Sequence, residues 1–222
     1  MKAMILAAGY GKRMQPLTLS LPKPLLTVLD KPLIEYHIEA LVAAGVDTII
    51  INLGWLGHKI PQQLGDGSRW GIDLCYSDEK EPLETAGGIK KALPLLGESP
   101  FIVVNGDIWT DYPMSSLVDR GLSEGDLAHL VLTTNPEHNP DGDFNLSQGR
   151  VSDAGEAMTF TGISVLSPQL FHDFTDQEGP LAPLLRAAIA RGQVSGEYYA
   201  GQWQDIGTPQ RLQALNAEQR LE

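Results

Sequence analysis

Residues 4–18 read "MILAAGYGKRMQPLT": a short apolar run that breaks at Gly9 and Gly11 and passes straight into Lys12 and Arg13. An apolar run this short, without alternation, is a strand buried on both faces, as in a parallel sheet. Glycines and cations at the end of such a strand make an anion-binding turn. Glycine lets the backbone come close to a ligand, and successive N–H groups form a nest for phosphate. Two common phosphate loops fail here on particular residues. The GxxxxGK[ST] loop has Leu6 at its first glycine position and Arg13 after the lysine. The GxGxxG dinucleotide fingerprint has Met14 at its third glycine, and the next strand ends at Asn52 instead of an acid for a ribose diol. A nicotinamide-dependent dehydrogenase is therefore disfavoured.

Outward from the loop, strand and helix patterns alternate as far as residue 135. "TIIIN" (48–52), "IDLCYS" (72–77), "FIVVN" (101–105) and "LAHLVLTT" (127–134) repeat the buried-strand signal. Between them "PLIEYHIEALVAAG" sets Leu33, Tyr36, His37, Leu41 and Ala44 on one helix face. "GHKIPQQLG", "TAGGIKKALPLLG" and "MSSLVDRGLS" read as further helices with glycine stops. The alternation predicts an α/β fold, a mostly parallel sheet covered by helices on both faces. After Asn135 the chain becomes rich in turns, with short strands near 144–147, 150–152 and 157–165, which predicts a small β-rich lobe over one end of the sheet. A helix over 179–192 stops at Gly192, "SGEYYAGQWQDIGT" is a strand pair or strand and turn, and Pro209 opens a terminal helix. No repeat or linker divides the chain. It reads as one domain, 1–222, in three parts: 1–135, 136–205 and a C-terminal helix over 206–222.

The 222 residues carry a formal net charge of −12, which excludes general nucleic-acid binding because that needs a basic face. Residues 1–31 nevertheless hold Lys2, Lys12, Arg13, Lys23 and Lys31 against Asp30 alone, a local basic pole suited to a small anion. Lys2 and Lys31 read as solubility charges. No run is long enough for a membrane span, and Met4–Ala8 is too short for a leader's apolar core. The single cysteine, Cys75, lies in a strand-like run as a small core residue and fits a reducing cytoplasm.

"LPKPLLTVLDKPLI" follows the loop, with Lys23 held between Pro22 and Pro24. The two rings stiffen an extended segment and leave the ammonium little freedom, as suits a fixed charge facing phosphate. Taken with this, Gly9-x-Gly11-x-Arg13-Met14-x-Pro16, "ETAGG" (84–88), "NGD" (105–107) and "WQDIGTP" (203–209) resemble, in order, the motifs of the sugar-1-phosphate nucleotidylyltransferases. The resemblance spans nearly the whole chain and implies the nucleotide-diphospho-sugar transferase fold, a Rossmann-like sheet with a sugar-binding lobe.

It also implies roles. Gly9, Gly11, Lys12 and Arg13 would wrap the triphosphate, with Arg13 forking onto the phosphates that leave as pyrophosphate. Lys23 would meet the α-phosphate and the incoming sugar phosphate. Asp107 and Asp205 would hold Mg²⁺ through hard carboxylate oxygens. Arg13, Lys23 and Asp107 are thus the expected catalytic residues. Leu6, Ala8 and Gly88 would border the base and ribose. Asn105, Gly142 and Glu156 would meet the sugar, although Ala157 stands where the family usually has a lysine after this glutamate. Glu79 and Glu81 could accept from a base N–H but read first as exposed charges, and Trp55, Trp70, Trp109 and Tyr112 as core or rim. The histidines (37, 58, 129, 138, 172) show no metal spacing and no dyad with a serine.

The length places the chain among the short members of the family, which include mannose-1-phosphate guanylyl and phosphocholine cytidylyl types. "NLGWLGHKIPQQLGDGSRWGIDLCYSDE", "ETAGGIKKALPLLG" and "NGDIWTDYP" are most similar to the muramic-acid-type uridylyltransferases, so UTP and a sugar 1-phosphate are the implied substrates. A sugar of that kind carries a lactyl carboxylate; Arg150 is the nearby basic candidate in the β-rich part, though it reads first as a solvated hairpin residue. A regulatory subunit of the same fold, stripped of catalytic residues, is the non-enzyme alternative. The presence of Arg13, Lys23, Asp107 and Asp205 argues against it.

Overall fold

The computed structural model describes residues 1–220; Leu221 and Glu222, the last two residues of the expected terminal helix segment, lie outside the described residues. The strands are β1 (Ala3–Leu6), β2 (Thr27–Val28), β3 (Lys31–Pro32), β4 (Thr48–Leu53), β5 (Asp73–Asp78), β6 (Phe101–Asn105), β7 (Ile108–Thr110), β8 (Ala128–Thr133), β9 (Phe144–Ser147), β10 (Arg150–Ser152), β11 (Ala157–Leu166), β12 (Val194–Tyr198) and β13 (Trp203–Asp205). The helices are α1 (Leu33–Ala43), α2 (Lys59–Leu64), α3 (Glu84–Leu96), α4 (Ser115–Arg120), α5 (Ala182–Ala190) and α6 (Pro209–Glu218).

One nine-stranded sheet runs β5-β4-β1-β6-β11-β8-β12-β10-β9. The block β5-β4-β1-β6 is parallel throughout. Its strands are buried on both faces because α1 packs on one side and α3 on the other, each contributing to its own apolar cluster. His37 belongs to the inner face of α1, where it is almost fully buried.

β1 pairs β4 on one side and β6 on the other, so the chain leaves β1 in one direction and returns on the opposite side. That reversal of strand order opens a crevice at the carboxyl ends, where open α/β sheets bind ligands. Gly106 lets the two strand ends close up. Its N–H bonds the Leu6 carbonyl at 2.9 Å, and a Cβ there would lie 2.6 Å from that same oxygen.

The β-rich segment after Asn135 shares this sheet instead of forming one of its own. β11 lies antiparallel between β6 and β8, and its first residues also pair with β9. A register shift between Phe160 and Ser164 divides the strand, with Gly162 at φ 80° in the gap. The last segment returns to the site: β13 pairs antiparallel with β7, setting Asp205 opposite Ile108. No helix among the described residues is long and apolar enough to cross a membrane.

Candidate active site

A cleft of about 390 Å³ opens at the carboxyl ends of β1, β4 and β6. Of the residues expected from the sequence, Leu6, Ala8, Gly9, Gly11, Lys12, Arg13, Lys23, Asn105 and Asp107 all line it. Gly11 stands in the left-handed region at φ 60° and begins a single helical turn over Lys12–Met14, so the loop folds back beneath the strand end. Lys12 and Arg13 are exposed, whereas Lys23 is buried to 9% exposure, its backbone held in a tight turn after Pro22. The Lys23 ammonium donates to Asp107 Oδ2 at 2.6 Å, which joins the PKP segment to the end of β6.

Asp205 comes to the same end of the cleft. The Ile206 N–H bonds the Asp107 carbonyl at 2.9 Å, so the two acidic residues sit on adjoining backbone. A carbon added at Gly207, which lines the cleft, would lie 2.9 Å from Asp205 Oδ2, 2.9 Å from Arg211 Nη1 and 3.3 Å from Arg13 Nη2. Arg211 donates to Asp205 Oδ2 at 2.6 Å, and His138 Nε2 approaches the same oxygen at 3.4 Å. Among the described residues no group of three or more acids, histidines or cysteines gathers to hold a metal. Two carboxylates on adjoining strands still suit a hard cation that takes its remaining ligands from water and substrate phosphate.

Other expected residues stand elsewhere. Gly88 does not line the cleft: it is buried, and a side chain there would strike Glu79 Oε1 at 2.6 Å and Asn52 Nδ2 at 3.0 Å. It makes room for a polar pair. Glu79, expected to be exposed, is 2% exposed and lines the cleft, while Glu81 is exposed. Asn52 Oδ1 accepts the Ala7 N–H at 2.7 Å, its Nδ2 donates to Glu79 Oε1 at 2.8 Å, and Glu79 Oε2 accepts the Leu83 N–H at 2.9 Å. The glycine loop and the start of α3 are thus tied through two side chains. The only sequence signal for this was Asn52 standing where a ribose-binding acid would be.

In the β-rich part, Asn105 fits against Gly162, where a Cβ would lie 2.4 Å from its Nδ2. Gly142, at φ 65°, turns the 135–143 loop against Ala157. Glu156 is exposed, its carbonyl accepting from Asn145 Nδ2 at 2.7 Å, and it lies outside the cleft lining. Arg150 is taken up elsewhere: it forks onto Asp126 at 2.8 and 3.0 Å and also donates to the Gly192 carbonyl.

Behind the site, His37 Nε2 donates to the Ile108 carbonyl at 2.9 Å, just beyond Asp107. Burial pushes its pKa down to about 4, against the opposing pull of that bond and of Asp107. Farther along, burial and a hydrogen bond to Glu197 raise the Tyr112 phenol. Glu197 is held below the usual carboxylate range, chiefly by His129 beside it, then by Tyr112 and Arg120.

A glycine loop and three cations line this cleft at the switch point of a parallel sheet, with two carboxylates beside them, an arrangement suited to anionic groups. The chain belongs to the nucleotidyl transferase family, whose model matches residues 2–144. It is 47% identical to the N-acetylmuramate alpha-1-phosphate uridylyltransferase of Neisseria meningitidis serogroup B, over 98% of this chain and 97% of that one. The enzyme of the same name from Caulobacter vibrioides is 37% identical, over 99% and 96%. A mannose-1-phosphate guanyltransferase of Hypocrea jecorina is 33% identical over 94% of this chain but only 61% of its own length. Among solved structures, a Bacillus anthracis protein described as a glucose-1-phosphate thymidylyltransferase superposes with a TM-score of 0.89 at 22% identity, covering 99% of this chain and 95% of that one. That likeness shows the fold.

Proposed function

We propose that this protein transfers a uridylyl group from UTP to N-acetylmuramic acid α-1-phosphate, releasing pyrophosphate and giving UDP-N-acetylmuramic acid, a step of cell-wall recycling. The observation that carries the reaction class is the buried Lys23 ammonium, ion-paired to Asp107 in the cleft at 2.6 Å. The choice of sugar and base rests on the near-full-length identity to uridylyltransferases of that name.

A phosphate oxygen of the sugar 1-phosphate attacks the α-phosphorus in line, and the bond to the β-phosphate oxygen breaks. The nucleophile is already ionised at neutral pH, so the chain supplies no general base. Its work is positioning and charge neutralisation. Backbone N–H groups of the Gly9–Arg13 loop and the Arg13 guanidinium hold the departing pyrophosphate. Lys23 offsets the repulsion between two anionic reactants and the charge that gathers as they meet. Asp107 and Asp205 would hold Mg²⁺, which supplies further neutralisation of the triphosphate when bound.

Glu79, a buried carboxylate acceptor in the cleft wall, argues against cytosine, whose N3 is itself an acceptor, and is compatible with uracil, thymine or guanine, whose ring N–H can donate to it. The deciding experiment is a matrix of four nucleoside triphosphates against several sugar 1-phosphates, scored by pyrophosphate release. The highest kcat/KM is expected for UTP with N-acetylmuramic acid α-1-phosphate. A higher value for GTP with mannose 1-phosphate, or no release from any pair, would overturn the reading.

A further inference from the structure

The end of β4 and the residues that follow it grip the glycine loop at three points. Asn52 Oδ1 takes the Ala7 N–H at 2.7 Å. Gly54 lies so close that a Cβ would come 2.1 Å from the Ala8 carbonyl. Trp55 then reaches the far end of the loop, its indole N–H donating to the Thr18 carbonyl at 2.9 Å. Its ring also tilts against Tyr10 at 6.3 Å between centroids, with the Lys12 ammonium 5.2 Å over the Tyr10 ring.

Thr18 passes this grip to the loop's centre. It is 1% exposed and forms no part of the cleft wall. Its hydroxyl donates to the Gly11 carbonyl at 2.8 Å, and the Met14 N–H joins at 2.9 Å. In a planar trans peptide the carbonyl and the following N–H point in opposite directions. Turning the Gly11 oxygen toward buried Thr18 therefore turns the Lys12 N–H the other way, toward the cleft that Gly11 and Lys12 line.

We propose that Trp55 is a positioning residue for the nucleoside triphosphate: by fixing Thr18 it holds the Gly11–Lys12 peptide with its N–H aimed at phosphate. Trp55 itself lies outside the cleft lining and is 40% exposed, so its effect on the ligand passes through the loop. The inference rests on the reading of residues 9–13 as a triphosphate loop, and its first readout, UTP binding at equilibrium, does not depend on turnover.

The test is equilibrium titration of the full-length protein with UTP, beside KM values for both substrates and a melting curve. Trp55→Phe keeps a ring and removes the N–H; Thr18→Val keeps the shape and removes the hydroxyl. Each is expected to weaken UTP binding about fivefold, the scale of one hydrogen bond's net contribution. The double variant should be no weaker than about tenfold, because both substitutions break one chain of contacts. Thr18→Ser should restore most of the affinity. KM for the sugar 1-phosphate should stay within about twofold, and the melting temperature within a few degrees.

UTP affinity within about twofold of the parent in both folded single variants would overturn the proposal. So would equal weakening toward both substrates, which marks general loosening. If the parent binds UTP but releases no pyrophosphate, the proposed function fails while the affinity comparison still decides the role of Trp55. If the parent binds none of the four triphosphates, both fall.

Discussion

Lys23 shows how far a single residue can be read from its neighbours in sequence. Flanking prolines announced a stiff lysine, and the fold buries it to 9% exposure against the Asp107 carboxylate. Its only job on this reading is to face reacting phosphates, so Lys23→Ala should lower kcat by roughly a hundredfold or more. The melting temperature should move little, because Asp107 keeps access to water with its side chain 38% exposed. Steady-state kinetics beside a thermal melt check this, and a near-normal kcat would remove the lysine from the chemistry. Glu79 shows the opposite case. Nothing local distinguishes it from Glu81, since both follow a strand in a charged stretch. Burial of one and exposure of the other follow from the Asn52 side chain, 27 residues away, and the vacant Cβ position of Gly88 on the helix that follows.

At the scale of elements, the strands and helices follow their apolar periods closely, but the contacts that aim site residues come from breaks in those periods. Gly162 interrupts β11 at φ 80°, and the space it leaves holds Asn105. Gly162→Ala should therefore destabilise the protein by about 1–3 kcal/mol through backbone strain and displace Asn105. Denaturant titration and KM for the sugar 1-phosphate should both register it; a sugar KM unchanged in the folded variant would separate Asn105 from the sugar.

His37 ties α1 to β7, and its proton links that tie to pH. With a folded pKa near 4 against an ordinary 6.5, the unfolded chain binds the proton first as acid is added. Stability is full above about pH 6.5 and falls as pH drops toward 4, leaving the protein about 2 kcal/mol less stable at pH 5 than at pH 8 from this group. His37→Gln, which retains an N–H for the Ile108 carbonyl, should flatten that slope in denaturant midpoints. An unchanged slope would mean that other groups dominate.

For the molecule as a whole, the decisive feature is the reversal of strand order at β1, which opens the cleft, together with the return of β13 to β7, which closes one end of it. A net charge of −12 surrounds a pole where Lys12, Arg13 and Lys23 converge, so an anionic ligand gains most from binding there. Two such anions meeting in one cleft call for further neutralisation, which on the proposed reading Mg²⁺ held by Asp107 and Asp205 would supply. Chelation should abolish pyrophosphate release and added magnesium restore it. Asp107→Asn and Asp205→Asn should each raise the magnesium concentration for half-maximal rate by about tenfold. Parental magnesium dependence in either variant would exclude that residue from the ion's shell.

The sequence by itself determined the α/β class, the strand and helix positions, the glycine turn at the end of β1 and the cation that follows it. Each of these is written in neighbouring residues: an apolar period, glycines at a strand end, or a lysine between prolines. The tertiary structure alone decided which acid is buried, where Arg150 spends its charge, that Asp205 adjoins Asp107, and that Trp55 reaches back to the loop. Those are pairings between segments tens of residues apart. They arise from strand order and from gaps at glycines, and spacing along a chain cannot specify which distant side chain fills a gap.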